Sequence, residues 1–430
     1  MSQLFSQGKF FRIVAVATLV LLCAANAQSA SYKVLYGFGA SNAKPSSGLT
    51  FDAQGNAYGV TSGGGYNEAG TVYELSSTTG YHLLFKFGKS QAGGAYPLGN
   101  LVLDSAGNLY GTTLAGGIDR NCCGLVFELS PPSNGVGLWT ETVLHTFCAG
   151  NDRCPDGAEP TSGVIFDSSG NLYGTTTGGG SPGSGPGGGT VFEMSPTSTG
   201  WTETVLYTFN VTMEDGFGEP QSRLVFDGAG NLYGTTARGG TAFWGSVFEL
   251  SPAGNNWTET VLYEFGGVQN NDGAEPFAGV VFDAAGNLYG TTDEGGHPSC
   301  NEGLGCGTVF ELTQAQDGSW IETILHRFAG INGDGEFPAA GVVLDASGSV
   351  YGTTSEGGIP GCSPAPSCGT AFRLTPVGTG EWTGDIFLFP GGMSGNNPDA
   401  QLTLDSSGNL YGTAGAGGPH GGGVAFKITQ

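Results

Sequence analysis

Gly163-Val164-Ile165-Phe166-Asp167-Ser168-Ser169-Gly170-Asn171-Leu172-Tyr173-Gly174-Thr175-Thr176 holds the key to the chain. A short apolar run meets Asp-x-x-Gly-Asn, whose Gly and Asn accept the positive φ of a tight hairpin. Leu172 to Thr176 returns as a second strand. A Gly-rich loop leads to Gly189-Thr190-Val191-Phe192-Glu193-Met194, Ser195-Pro196 opens another turn, and Trp201 to Phe209 alternates as a fourth strand. The pattern recurs around Asp52, Asp104, Asp167, Asp227, Asp283, Asp345 and Asp405, at steps of 52, 63, 60, 56, 62 and 60 residues. Such a period means stacked units that bury their faces against neighbours. Four short strands per unit, with almost no helical periodicity, predict an all-β fold: a seven-bladed β-propeller of four-stranded blades.

The ends support ring closure. The last unit stops at its third strand, Val424-Ala425-Phe426-Lys427-Ile428, and Tyr32 to Phe38 is a copy of the missing fourth strand standing alone. Residues 31–38 are therefore expected to complete the final blade and remove its open edge. One domain, 28–430, is expected, with blades near 47–87, 99–147, 162–209, 222–265, 278–328, 340–389 and 400–428 plus 31–38.

Composition narrows the function classes. Of 430 residues 81 are Gly, well above the usual level of roughly 7%. Gly does not recur every third position, which excludes collagen. With 38% hydrophobic and 11% aromatic residues the chain can bury a core. A net charge of −24 argues against nucleic acid as a partner, because phosphate binding needs a basic surface.

Lys9 and Arg12 precede an apolar run, Ile13 to Cys23, and Ala25-Asn26-Ala27 follows as a small-x-small cleavage pattern. Residues 1–27 are expected to be a signal peptide, with cleavage after Ala27 and Ala30 as the alternative. No later run is long enough for a membrane span. Cys23 follows Leu22 rather than a small residue, so no lipid anchor is expected. The mature protein should be exported, to the periplasm or the medium, and monomeric.

Eight cysteines then remain. Cys148 and Cys154, Cys300 and Cys306, and Cys362 and Cys368 form three pairs of identical spacing. Behind a signal peptide they read as local disulfides rather than as metal ligands. Cys122-Cys123 reads either as a vicinal disulfide or as a pair of thiols.

The string Gly-Asn-Leu-Tyr-Gly-Thr-Thr-x-x-Gly-Gly…Gly-Thr-Val-Phe-Glu-Leu resembles the tandem repeat of the GloVer-type "choice-of-anchor" bacterial proteins. It is matched at Gly170 to Thr176 with Gly189 to Met194, and at Gly286 to Thr292 with Gly307 to Leu312. The resemblance covers essentially the whole mature chain. It implies an exported bacterial repeat protein, often bearing a C-terminal sorting anchor, and no established enzymatic activity. This sequence departs from that pattern in ending at Gln430, directly after a strand. A weaker likeness is to kelch blades, which share the Gly-Gly after the second strand and the Trp opening the fourth.

Candidate ligand residues lie where blades connect. Asp156 and Glu159, Asp215 and Glu219, Asp272 and Glu275, and Asp334 and Glu336 recur in the loops entering blades three to six. These loops should rim the central channel. Asp293, Glu294, Glu302 and Glu356 extend the acidic arc, and His297 and His420 share its face. The functional reading is a site for Ca2+, a cationic group or a sugar. The competing reading is a repeated turn, with Asp-Gly and Pro serving backbone geometry. The Asp of Asp-x-x-Gly-Asn occurs in every blade and reads as a turn cap. The Glu residues of strands three and four read as strand-face residues. Gly179-Gly180-Ser181-Pro182-Gly183 matches Gly-x-Ser-x-Gly, but without the following helix that exposes a nucleophile.

Two functions follow. The first is an exported non-catalytic binding or scaffold module for an extracellular glycan or protein, acting through the loop face rich in Gly, Cys and acidic residues. The alternative is a secreted lyase or hydrolase acting on a polysaccharide or peptide. Singular polar residues converging at the channel would favour the enzyme; equivalent residues in every blade favour the binder.

Overall fold

The structure, a computed structural model, describes residues 30–39, 43–90, 92–117, 123–150, 154–180, 187–209, 218–254, 256–362, 366–378 and 380–430. The expected signal peptide, Cys122, Asp215 and the Gly-x-Ser-x-Gly match at Ser181 lie outside these residues. Seven four-stranded antiparallel sheets form the blades. In the third, Ile165–Phe166, Leu172–Thr176, Thr190–Thr197 and Gly200–Thr208 lie side by side from the axis outward. The described residues contain no α-helix, and none of their helices is long and apolar enough to cross a membrane.

The repeat motif is accounted for residue by residue. In the turn, Asp167 Oδ1 accepts the Ser169 and Asn171 N–H groups, and Oδ2 accepts from Asn171 Nδ2 and Tyr173 Oη. The same cap is built on Asp52 and Asp405. Gly174 follows the Tyr because the Phe192 ring lies across it, and a Cβ there would come within 2.6 Å of the ring. In every blade but the first, which has Val60, the first Thr stitches its blade to the next: Thr175 donates to Ser222 O at 3.1 Å, Thr291 to Ala340 O at 2.9 Å and Thr413 to Ser47 O at 2.8 Å. The second pairs within its own blade, as Thr176 does with Thr190.

Between blades the core is aromatic. The Phe that ends each fourth strand packs on the third-strand ring of the next blade: Phe147 on Phe192, Phe209 on Phe248 and Phe265 on Phe310, with centroids 5.2, 5.1 and 5.1 Å apart. Edge-on rings at this spacing add specific geometry to a large buried area.

Closure is as the ends of the sequence predict. Ser31–Gly39 pairs antiparallel with Gly421–Thr429, with Tyr32 opposite Ile428 and Gly37 opposite Val424. Phe38 then packs on Tyr73 of blade one, centroids 4.9 Å apart, in the place that the fourth-strand Phe takes elsewhere. Thr403 Oγ1 donates to Leu49 O at 2.6 Å, joining blade seven to blade one. The three local disulfides, Cys148–Cys154, Cys300–Cys306 and Cys362–Cys368, are formed.

Candidate functional site

Each blade connection ends in a residue followed by Pro: Lys44, Tyr96, Glu159, Glu219, Glu275, Phe337 and Asn397. All seven have positive φ, from 28° to 61°. None is Gly, so each holds a conformation that its Cβ disfavours. Hydrogen bonds on both sides impose it. Glu275 N donates to Trp244 O of the preceding blade, and Glu275 O accepts from Asp293 N of its own blade. The loop mouth is therefore a fixed frame carrying five kinds of side chain at seven positions, three of them Glu.

The aspartates of the predicted arc turn away from that mouth into their own loops. Asp272 is buried and accepts from Tyr263 Oη at 3.0 Å, Gly266 N at 2.7 Å and Gly273 N at 2.6 Å. Asp334 accepts from Ala329 N at 2.9 Å and meets His326 Nε2 at 3.2 Å. Asp156 repeats this with Cys148 N and His145 Nε2. In these three loops the Asp does the work of a repeated turn.

The glutamates behave differently. Glu275 lies near Asp293, Glu294 and Arg238. Burial first, then Glu294, Glu275 and Glu356, pushes the Asp293 carboxyl up to about 7. Glu294 is also raised, by burial and by Glu275, although Asn301 donates to it. Glu336 is raised by burial and then by Glu356. Arg238 stands 3.7 Å from Glu219 and 3.9 Å from Glu275. Blades four to six thus carry a net negative group of carboxylates with a single guanidinium.

These oxygens do not form a tight metal cage. Among the described residues, the only set of three His, Cys, Asp or Glu ligand atoms lying mutually within 4.8 Å is the sulfurs of Cys123, Cys148 and Cys154. All three cysteines are in disulfides, which removes them as thiolate ligands. A Ca2+ ion would need carboxylates to swing in or loop carbonyls to join. Glu159 is exposed. His297 contacts Ser299 at 2.9 Å, and neither it nor His420 ion-pairs with a described carboxylate.

Residues missed by the sequence reading line the channel itself. A loop-side chamber of about 440 Å3 and a hairpin-side chamber of about 850 Å3 share Asn100, Arg223 and Gln401 in their walls. These three occupy the third position after the Pro in blades two, four and seven. The other four blades have Gly48, Gly163, Gly279 and Gly341 there. Asp399 lines the loop-side chamber with its side chain open to the channel, and enclosure by the surrounding ring raises its carboxyl to about 6. Aligning the seven copies on their Pro would have exposed these departures from Gly.

Comparison with known proteins agrees with this architecture. The Gloeobacter/Verrucomicrobia repeat matches residues 21–185, 140–364 and 260–430, nearly the whole chain. The chain belongs to the Gloeobacter/Verrucomicrobia repeat family. No curated protein matches it in sequence. Among solved structures, a fungal alcohol oxidase in complex with copper is 15% identical, with TM-score 0.55; the alignment covers 93% of this chain and 76% of the oxidase. A Bacteroides uniformis protein provisionally assigned as a 6-phosphogluconolactonase is 14% identical over 83% of this chain and 88% of its own, TM-score 0.49. A Thermus thermophilus protein provisionally assigned as a glucose dehydrogenase is 12% identical over 93% and 100%, TM-score 0.41. At these identities the oxidase likeness concerns the fold alone.

Proposed function

We propose that this chain is an exported, non-catalytic binding module that takes a polar extracellular ligand, a glycan or a cationic peptide segment, at the loop-side mouth of its channel. The observation that carries this reading is the fixed frame of seven left-handed residues, five of them charged or amide side chains (Lys44, Glu159, Glu219, Glu275 and Asn397), beside the Asp293, Glu294 and Glu356 carboxylates. Rigid backbone with variable side chains is the arrangement of a recognition surface. The channel serines support binding over catalysis. Ser46 Oγ donates to Pro97 O, Ser47 Oγ to Gly48 O, and Ser162 Oγ contacts Thr175, so none of them is activated by a base.

One observation favours the alternative of a secreted lyase or hydrolase. Asn100, Arg223, Asp399 and Gln401 are singular in the repeat and face one channel, and a carboxyl near 6 suits acid–base work. A screen of the labelled mature protein against glycan and peptide arrays, followed by mass spectrometry of each retained ligand, separates the two. Retention of unaltered ligand that is lost in Glu275→Gln/Glu356→Gln supports binding. Cleaved product that disappears in Asp399→Asn supports the enzyme.

A further inference from the structure

The channel waist holds an uncompensated positive charge in a protein of net charge −24. Arg223 lines both chambers. Among the described residues its guanidinium has no ion pair. Its side chain is exposed to the channel, so its guanidinium stays charged and its donors are open to a ligand.

The two amides at the same level are turned to donate as well. Gly48 N donates to Asn100 Oδ1 at 2.7 Å, Asn100 Nδ2 donates to Gln401 Oε1 at 3.3 Å, and Gln401 Nε2 donates to Val342 O at 3.2 Å. A backbone N–H stands at one end of this relay and a backbone C=O at the other. Neither can reverse its polarity, so neither amide can flip without setting like against like. Both amide oxygens are thereby spent on the wall. Each amide nitrogen keeps one hydrogen without a partner among the described residues.

The neighbouring glycines make room for this set. A Cβ at Gly163 would strike the Asn100 backbone, one at Gly279 the Arg223 backbone, and one at Gly48 would lie 2.5 Å from Gln401 O. The innermost strands close up at these points, and the three long polar side chains have the remaining space to themselves. Below them Val102, Ile165, Val281 and Val343 line the hairpin-side chamber, an apolar wall that strengthens any charge pairing at the waist.

We infer that Arg223, Asn100 and Gln401 form an oxyanion-binding site at the channel waist, taking the carboxylate, sulfate or phosphate group of a small ligand. The chemistry is that of a forked guanidinium assisted by two amide donors, with no carboxylate within ion-pair distance of Arg223 among the described residues, although Asp399 lines the same chamber. The site is separate from the carboxylate mouth and stands whether or not that mouth takes a ligand. At physiological ionic strength charges are screened over about 8 Å, so the overall negative charge does not cancel a local donor set inside the ring.

The test is calorimetric titration of the mature protein with sodium sulfate, sodium phosphate, sodium acetate and sodium glucuronate, each at one ionic strength held with sodium chloride. At least one oxyanion should bind the parent and raise its Tm above the chloride control. Binding should fall at least about tenfold in Arg223→Gln, the loss expected for a charge-assisted contact. Sulfate or phosphate as the tighter group would identify a tetrahedral anion, and acetate or glucuronate a carboxylate; either result supports the site. Arg223→Lys keeps the charge without the fork and should bind more weakly than the parent, which preserves the comparison if Arg223→Gln does not fold. No heat or Tm shift beyond chloride with any of the four anions, or equal affinity in parent and both variants, would overturn the proposal.

Discussion

The Tyr207 hydroxyl of blade three donates to Glu259 Oε2 of blade four at 2.8 Å. This contact is one member of a series along the blade interfaces. Tyr263 reaches both Asp272 at 3.0 Å and Glu322 at 3.5 Å. His145 contacts Asp156, with Glu203 nearby. The fourth-strand glutamates are therefore wedges between blades. Tyr207→Phe removes one donor from a shielded carboxylate and should cost about 1–2 kcal/mol, read as a lower midpoint in urea without a change of slope.

Glu322 is the sharper case. Burial and the adjacent Asp272 raise its carboxyl well above the usual range, so its charged form is disfavoured in the folded state. Glu322→Gln keeps a hydrogen-bonding head and drops the charge. The variant should melt higher than the parent at pH 8 and close to it at pH 5. A lower Tm at pH 8 would show that the charged pair stabilises the interface.

Stability should peak in mildly acidic solution. Burial pushes Asp293 and Glu203 up to about 7, and enclosure in the channel raises Asp399, whose side chain is open to it, to about 6. Such groups hold more protons folded than unfolded, so their contribution is present below about pH 4 and is lost as pH rises through 6 to 7. The turn aspartates run the other way. At Asp52 and Asp405 burial opposes, but the Asn, Tyr and backbone hydrogen bonds outweigh it and lower the pKa. Their stabilisation is present above about pH 4 and is lost as pH falls through the lowered values. Thermal melts should therefore be highest near pH 5, lower at pH 8 and much lower at pH 3. A maximum at pH 8 would contradict this balance.

Removing residues 1–38 should leave Gly421–Thr429 as an open edge and strip the aromatic contacts of Tyr32 with Phe387, Phe389 and Phe426. A chain starting at Gly39 should lose its single cooperative melt and aggregate on a sizing column. A parent-like melt would show that closure does not depend on this strand.

Neutralising the mouth should relieve repulsion. Glu275→Gln/Glu336→Gln is expected to raise Tm at low salt, and added Ca2+ should stabilise the parent more than this variant. Equal Ca2+ shifts in both would place any cation elsewhere.

Seven blades, the strand order within each and the closing strand could all be read from the chain, because each depends on a local pattern copied seven times. The Asp167–Asn171–Tyr173 cap and the Gly174–Phe192 contact need no partner outside the blade. The six-residue cysteine pairs were legible for the same reason. The relay from Gly48 through Asn100 and Gln401 to Val342 was not, since it joins four blades and up to 301 residues of chain at one contact. Nor was the division of labour in the acidic loops, where Asp272 is spent on Tyr263 and backbone while Glu275 faces Asp293 and Arg238. Repetition determines how each blade folds. Only bending the blades into a ring brings their unequal residues onto a common axis, and that is where the uncompensated Arg223 acquires its surroundings.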